Sequence, residues 1–127
     1  MASSYELKIE KILRLGKCIY KKEVSVEGLY GTSKALLRFD FQVLSPYKCF
    51  IEVDGEYHFK PIRGLLPFRR QTAYDERKNS YCLGHNILLI RIPYWEIDNI
   101  KTINDIFDNP HFVVKSKYHN YMLKQPH

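Results

Sequence analysis

The sequence predicts an α/β fold, a mixed central sheet with helices covering its faces. Three observations carry this reading. Apolar positions recur at helical spacing near the start and at strand spacing further on. The elements follow one another as helix, strand, strand, strand, helix, strand. The stretch from Asn86 to Ile92 reads as a continuous apolar run closed by Pro93, the pattern of a strand buried on both faces.

Taken in order, Ser3 and Glu6 have capping-box spacing, and Tyr5, Ile9, Ile12 and Leu13 fall on one helical face. They predict a helix over residues 4–15, ended near Gly16. CIYKKEVSV alternates enough for a strand over residues 18–26, and EGLYGTS, with Gly28 and Gly31, reads as a loop. Leu36–Leu44 and Lys48–Asp54 form the arms of a β-hairpin turning at Ser45, Pro46 and Tyr47. Residues 55–67, with two prolines and two glycines, read as irregular chain. A second helix is predicted from Phe68 to Leu83, with Gly84 as its stop. After the strand at 86–92 come a short helix over Ile100–Phe107 and a basic tail, Lys115 to Lys124, carrying Tyr118 and Tyr121.

At 127 residues, 45% hydrophobic and 14% aromatic, the chain reads as one domain over 1–127, with a core at about 3–96 and a basic extension at about 97–127. No apolar run approaches a membrane span and the start has no signal-peptide pattern, so the expectation is an intracellular, cytoplasmic protein without a membrane partner. Cys18, Cys49 and Cys82 are odd in number, widely separated and in apolar settings. They fit free thiols better than a disulfide framework, and no zinc-type spacing accompanies them. Lys and Arg outnumber Asp and Glu by 20 to 14, for a formal charge of +6. Several acids cluster at one place, so the remaining surface is more basic still, which points to a polyanionic partner.

That cluster lies in LRFDFQVLSPYKCFIEVDGEYHF, residues 37–59, where the hairpin carries Asp40, Glu52 and Asp54. Like charges on paired strands repel, so a divalent cation between them turns a liability into a site. Alternation puts Phe39, Phe41 and Val43 on one face and Arg38, Asp40 and Gln42 on the other. On the second arm Cys49, Ile51 and Val53 oppose Phe50, Glu52 and Asp54. Register decides whether the acids meet. A three-residue turn pairs Leu44 with Lys48, and so Asp40 with Glu52, with Cβ atoms roughly 5 Å apart. A four-residue turn sends them to opposite faces. Two carboxylates at that distance suit a hard cation such as Mg²⁺, with the Val53 backbone carbonyl as a further oxygen. The plainer alternative is a pair of solvated acids on an exposed sheet face.

RFDF around Asp40 and IEVDG around Glu52 make the chain resemble the PD-(D/E)xK, or restriction-endonuclease-like, nuclease superfamily. VDGxxH (Val53 to His58), D-x-x-K-N-x-Y-C (Asp75 to Cys82) and the final LIRIPY are similar to very-short-patch-repair endonucleases and small phage or mobile-element nucleases. The likeness covers about residues 3–96, and Glu6 resembles the glutamate early in the first helix of phage junction-resolving endonucleases. The resemblance implies a restriction-endonuclease-like α/β/α sandwich and a Mg²⁺-dependent DNA endonuclease in which Mn²⁺ can substitute. It places the protein in a bacterial or virus-infected host cell. It implies Asp40, Glu52 and the Val53 carbonyl as metal ligands. The superfamily's usual lysine, two residues after the second acid, is here Asp54, so the positive charge must come from elsewhere, from His58 or Lys78. The repair-type branch uses histidines and an additional aspartate, which implies His58 and Asp75. Glu6, Asp40, Glu52, Asp54, His58, Asp75 and Lys78 are thus the catalytic candidates.

Each supporting residue also has a plainer reading. Glu6 serves the capping box, the cleft, or both. His58 is a hydrogen-bonded structural histidine or a proton carrier near neutral pH. Gln71, Asp75 and Lys78 share a helix face, as an ordinary surface ion pair or as a cleft wall. The thin apolar stripe of that helix, chiefly Tyr74, Tyr81 and Cys82, favours the cleft. Lys60, Arg63, Arg69, Arg70 and Gln71 are the DNA-binding candidates, interleaved with Tyr57, Phe59 and Phe68. Cations neutralise phosphates and rings stack on bases, although some of these rings belong to the core. Tyr94 and Trp95 read as packing residues. Two other functions compete: a catalytically inactive nucleic-acid-binding module derived from such a nuclease, favoured by the missing lysine, and a small-molecule phosphoesterase, disfavoured by the basic loop. A nicking monomer and a homodimer both fit a chain of this size.

Overall fold

Helix α1 (Ser4–Leu15) starts where the capping box places it. In the computed structural model, which describes residues 3–119, the Ser3 hydroxyl accepts from the Glu6 N–H and the Glu6 carboxylate accepts from the Ser3 N–H. Two orphan donors of the first turn are satisfied this way. Strands β1 (Ile19–Tyr30), β2 (Leu36–Ser45), β3 (Cys49–Asp54) and β4 (Leu89–Pro93) form one mixed sheet in that order. β1–β2 and β2–β3 are antiparallel, whereas β3–β4 is parallel. A parallel pair needs a long crossover, and α2 (Leu65–Gly84) supplies it. A short α3 (Ile103–Phe107) follows, and 3₁₀ segments occupy Glu56–His58, Tyr94–Asn99 and Pro110–Phe112.

Four expectations are corrected. β1 does not end at residue 26: it continues through the predicted loop to Tyr30, with Gly28 at φ +87° and a register shift before Tyr30 pairs with Leu36. Only glycine adopts that φ cheaply, and the irregularity lets the strand resume. α2 begins at Leu65 rather than Phe68, because Pro67 falls in the first turn, where its missing N–H has no helical partner to lose. α3 begins at Ile103, where Thr102 and Asp105 build a second capping box. The fourth concerns β2. Phe39 and Phe41 do not share a face: Phe39 stacks on Phe50 with ring centroids 4.3 Å apart, while Phe41 packs against α1. Alternation therefore breaks at Asp40. Across from it on β1, Glu23 takes φ +52° between the pairs Lys22–Phe41 and Val24–Phe39.

The sheet is covered on both faces. α1 buries Ile9 and Leu13 against Phe41, Val43, Ile51 and Ile92, while Cys82 of α2 packs with Phe39, Phe50 and Leu89. The core continues past residue 96: Ile97, Ile100, Ile106 and Phe112 join the α1 side, and Val114 the other. The Val114 N–H donates to the Leu89 carbonyl and Val113 bridges Ile90, so this segment lies along the outer edge of β4. Tyr121 and Lys124 of the predicted tail lie outside the described residues. Cys18, Cys49 and Cys82 are free thiols, and burial pushes Cys49 and Cys82 up to about 12. Among the described residues no helix is long and apolar enough to cross a membrane.

Candidate active site

β2 and β3 pair Val43 with Cys49, Gln42 with Phe50 and Phe41 with Ile51. The next pair in that count is Asp40 and Glu52, the register of a three-residue turn. At this point side chains replace the backbone ladder. The Asp40 N–H donates to Glu52 Oε1 at 2.9 Å, and the Val53 N–H donates to Asp40 Oδ2 at 2.7 Å. The strands open here, with a carboxylate held on each side. A residue in a strand points its carbonyl to the same side as its N–H, so the Val53 oxygen also faces the opening.

Lys78 closes one wall. Its ammonium donates to Glu52 Oε2 at 3.0 Å, with Glu52 2% and Lys78 8% exposed. Among the described residues Asp40 has no such cation. Burial pushes its carboxyl far above the usual carboxylate range, Glu52 and Glu6 push it further, and the Val53 N–H only partly opposes them. The environment thus favours the protonated form of Asp40, and a positive charge placed beside it would favour the carboxylate. These groups line a cleft of about 280 Å³, whose walls also include Glu6, His58 and Gln71. The start of α1 and the turn after β3 close it, tied by a hydrogen bond from the Tyr5 hydroxyl to Glu56.

Asp54 and Asp75 do not line the cleft; they lie behind His58. Arg91 Nη1 donates to Asp54 Oδ1 and Oδ2 at 2.9 and 3.1 Å, and its Nε donates to Asn79 Oδ1 at 2.8 Å. Asp54 and Arg91 are fully buried. A buried charge pair of this kind needs its remaining donors satisfied, and Asn79 with the Asp75 carbonyl does so. The α2 residues buried against the sheet are Lys78, Asn79 and Cys82, which accounts for the thin apolar stripe. This helix packs a polar face onto the polar end of the sheet.

His58 connects the two layers. Its Nδ1 is 2.9 Å from Asp75 Oδ2 and 3.5 Å from Asp54 Oδ1, while Gln71 Nε2 donates to Asp75 Oδ1 at 3.0 Å. Burial alone lowers the imidazole pKa, but Asp54 and Asp75 outweigh it and hold the ring above its ordinary value. Burial likewise pushes Asp75 up, and His58 and Arg91 overcome this and hold it low. With Nδ1 committed to the acids, Nε2 is the nitrogen left for the cleft.

Sequence reasoning missed Arg91. The signal was present: an arginine inside a run otherwise fit for a buried strand requires a carboxylate, and Asp54 was the acid without a clear role. Of the basic candidates, Lys60, Arg63, Arg69 and Arg70 are exposed, and the Arg63 guanidinium lies 5.1 Å from the Tyr57 ring centroid. Phe59 packs with Tyr94 and Trp95, centroids 5.9 and 4.8 Å away, as core residues do.

Among the described residues no group of three or more His, Cys, Asp or Glu side chains is arranged to hold a metal ion by itself. The donors present are two carboxylates and a carbonyl beside a cleft with room for water. That set fits Mg²⁺, which accepts few protein oxygens and retains waters. Burial and the neighbouring carboxylates raise the Asp40 carboxyl, and a cation placed here would act in the opposite direction. No family model matches this chain, and neither a curated protein nor a solved structure matches it.

Proposed function

We propose that the protein is a Mg²⁺-dependent DNA endonuclease of the PD-(D/E)xK kind, its sheet and helices being the α/β/α sandwich of that superfamily. One observation supports this above the others: Asp40 and Glu52 meet at the opened end of the hairpin while Lys78 reaches the same carboxylate from α2. The lysine missing at position 54 thus has a spatial substitute. Asp40, Glu52 and the Val53 carbonyl would hold Mg²⁺. The ion would polarise the scissile phosphate, lower the pKa of an attacking water and neutralise the leaving oxygen. Lys78 sets a fixed positive charge beside the phosphate. His58, oriented by Asp75, holds or releases a proton at Nε2. Exposed Lys60, Arg63, Arg69 and Arg70 neutralise backbone phosphates.

A second reading, an inactive nucleic-acid-binding module, is favoured by Asp54, which stands at the usual lysine position and is committed to Arg91. One assay separates the two. Linear duplex, mismatched duplex, four-way junction, single strand and RNA are incubated with Mg²⁺ or Mn²⁺, with Asp40→Asn as control. Cleavage lost in Asp40→Asn with binding retained supports the enzyme. Salt-sensitive binding without cleavage of any substrate selects the module, and undiminished cleavage by Asp40→Asn removes Asp40 from the metal site.

A further inference from the structure

The acidic cleft has a smaller neighbour of opposite character. A cavity of about 90 Å³ is lined by Lys60, Arg63 and Phe68, together with Gly64 and Pro67 at the start of α2. Tyr57 and Gln71 belong to the walls of both cavities, so a single layer of side chains separates them. Glu6, Asp40, Glu52 and Glu56 line the cleft, whereas among the described residues the neighbour is lined by no acid. Among the described residues neither Lys60 nor Arg63 forms an ion pair. The Arg63 guanidinium lies over the Tyr57 ring, which orients the group without neutralising it. From Tyr57 to Tyr74 the chain contains no Asp or Glu, and Arg69 and Arg70 add to the same sign. The space is roughly that of three waters. That is room for one phosphate group.

We propose that this cavity holds the backbone phosphate adjacent to the one cut, so that the substrate is a nucleic-acid strand held at two consecutive phosphates. The inference rests on the nuclease reading of the cleft. Arg63 presents its planar donors to the phosphate oxygens and Lys60 adds a mobile point charge. Tyr57 and Gln71 stand where the intervening sugar crosses from one cavity to the other. The two lysine and arginine charges carry the site. A mononucleotide ester has no second phosphate to place here, so the activity is directed at polymers.

The test uses the full chain and the Lys60→Ala/Arg63→Ala double variant, whose side chains are exposed and whose melting temperature should match the wild type. Affinity for a fluorescent oligonucleotide duplex is measured in EDTA over a range of salt. Losing one phosphate contact reduces the slope of log affinity against log salt by about one. In Mg²⁺, oligonucleotides carry a single uncharged methylphosphonate on one side or the other of the scissile bond. One of the two positions should lower wild-type kcat/KM about tenfold and leave the double variant, already slowed, unaffected. An unchanged salt slope overturns the proposal. So does a wild type indifferent to methylphosphonate on both sides. A reduced slope in a chain that cleaves nothing leaves the phosphate site standing and removes the nuclease reading instead.

Discussion

A carboxyl buried beside other carboxylates keeps its proton until a cation replaces it. Asp40 is in that position, with Glu52 and Glu6 around it and the Val53 N–H on one oxygen. Because its folded-state pKa lies above the ordinary value of 3.8, its contribution to stability is complete below about pH 4 and declines as pH rises towards the raised value. Asp40→Asn retains an acceptor for Val53 but cannot ionise. The metal-free variant should therefore match the wild type near pH 4 and melt roughly 4 °C higher at pH 8. A midpoint difference that does not widen with pH would show that Asp40 is already ionised. His58 has the opposite chemistry and the same sign. Its raised pKa makes a contribution that is complete below 6.5 and lost as pH rises through the folded value. If neutral His58 accepts the proton, activity climbs through that pKa. Asp75→Asn removes a stabilising carboxylate, so the climb should move to lower pH together with the His58 titration seen by NMR. An unmoved titration would mean that Asp54 alone sets the ring.

At the scale of elements, the polar block between the sheet and α2 ties β3, β4 and the helix together. β3 and β4 pair Glu52 with Arg91 and Asp54 with Pro93, so the chain direction of the parallel pair places Arg91 beside both acids. Removing Arg91 takes from buried Asp54 the guanidinium that donates to both of its oxygens and leaves it only the longer His58 contact among the ion pairs described. Arg91→Met should cost about 3–5 kcal/mol, measured by urea unfolding, and Arg91→Met/Asp54→Asn should recover at least half of it. If the double variant is as unstable as the single one, packing rather than charge is what Arg91 supplies. The break in alternation at Asp40 belongs to this scale too. Glu23 at φ +52° and the opened β2–β3 end turn one carboxylate out of the pleat, which local propensity alone would not do.

For the whole molecule, a ligand that binds only the folded chain raises its stability by mass action. Mg²⁺ at ten times its dissociation constant should add about 1.4 kcal/mol. In a thermal scan this shift should appear in the wild type, vanish in Asp40→Asn and reverse on adding EDTA. Equal shifts in both chains would move the cation away from the hairpin. The formal charge of +6 should make any nucleic-acid binding fall steeply with salt.

Local chemistry was legible in the chain itself. The Ser3–Glu6 cap, the hairpin and the doubly buried strand follow from short-range rules of capping, turn residues and side-chain period. The pairing of Asp40 with Glu52 could be read only as the outcome of a three-residue turn against a four-residue one. Long-range contacts could not. That Phe39 leaves the face of Phe41, that Asp54 belongs to Arg91 rather than to the cleft, and that Lys78 reaches Glu52 all depend on α2 crossing over the sheet. Buried charges choose partners by desolvation, which only the packed arrangement defines. The sequence by itself set Asp40 across from Glu52 on condition of a three-residue turn; the tertiary structure decided that register and gave Glu52 to Lys78 and Asp54 to Arg91.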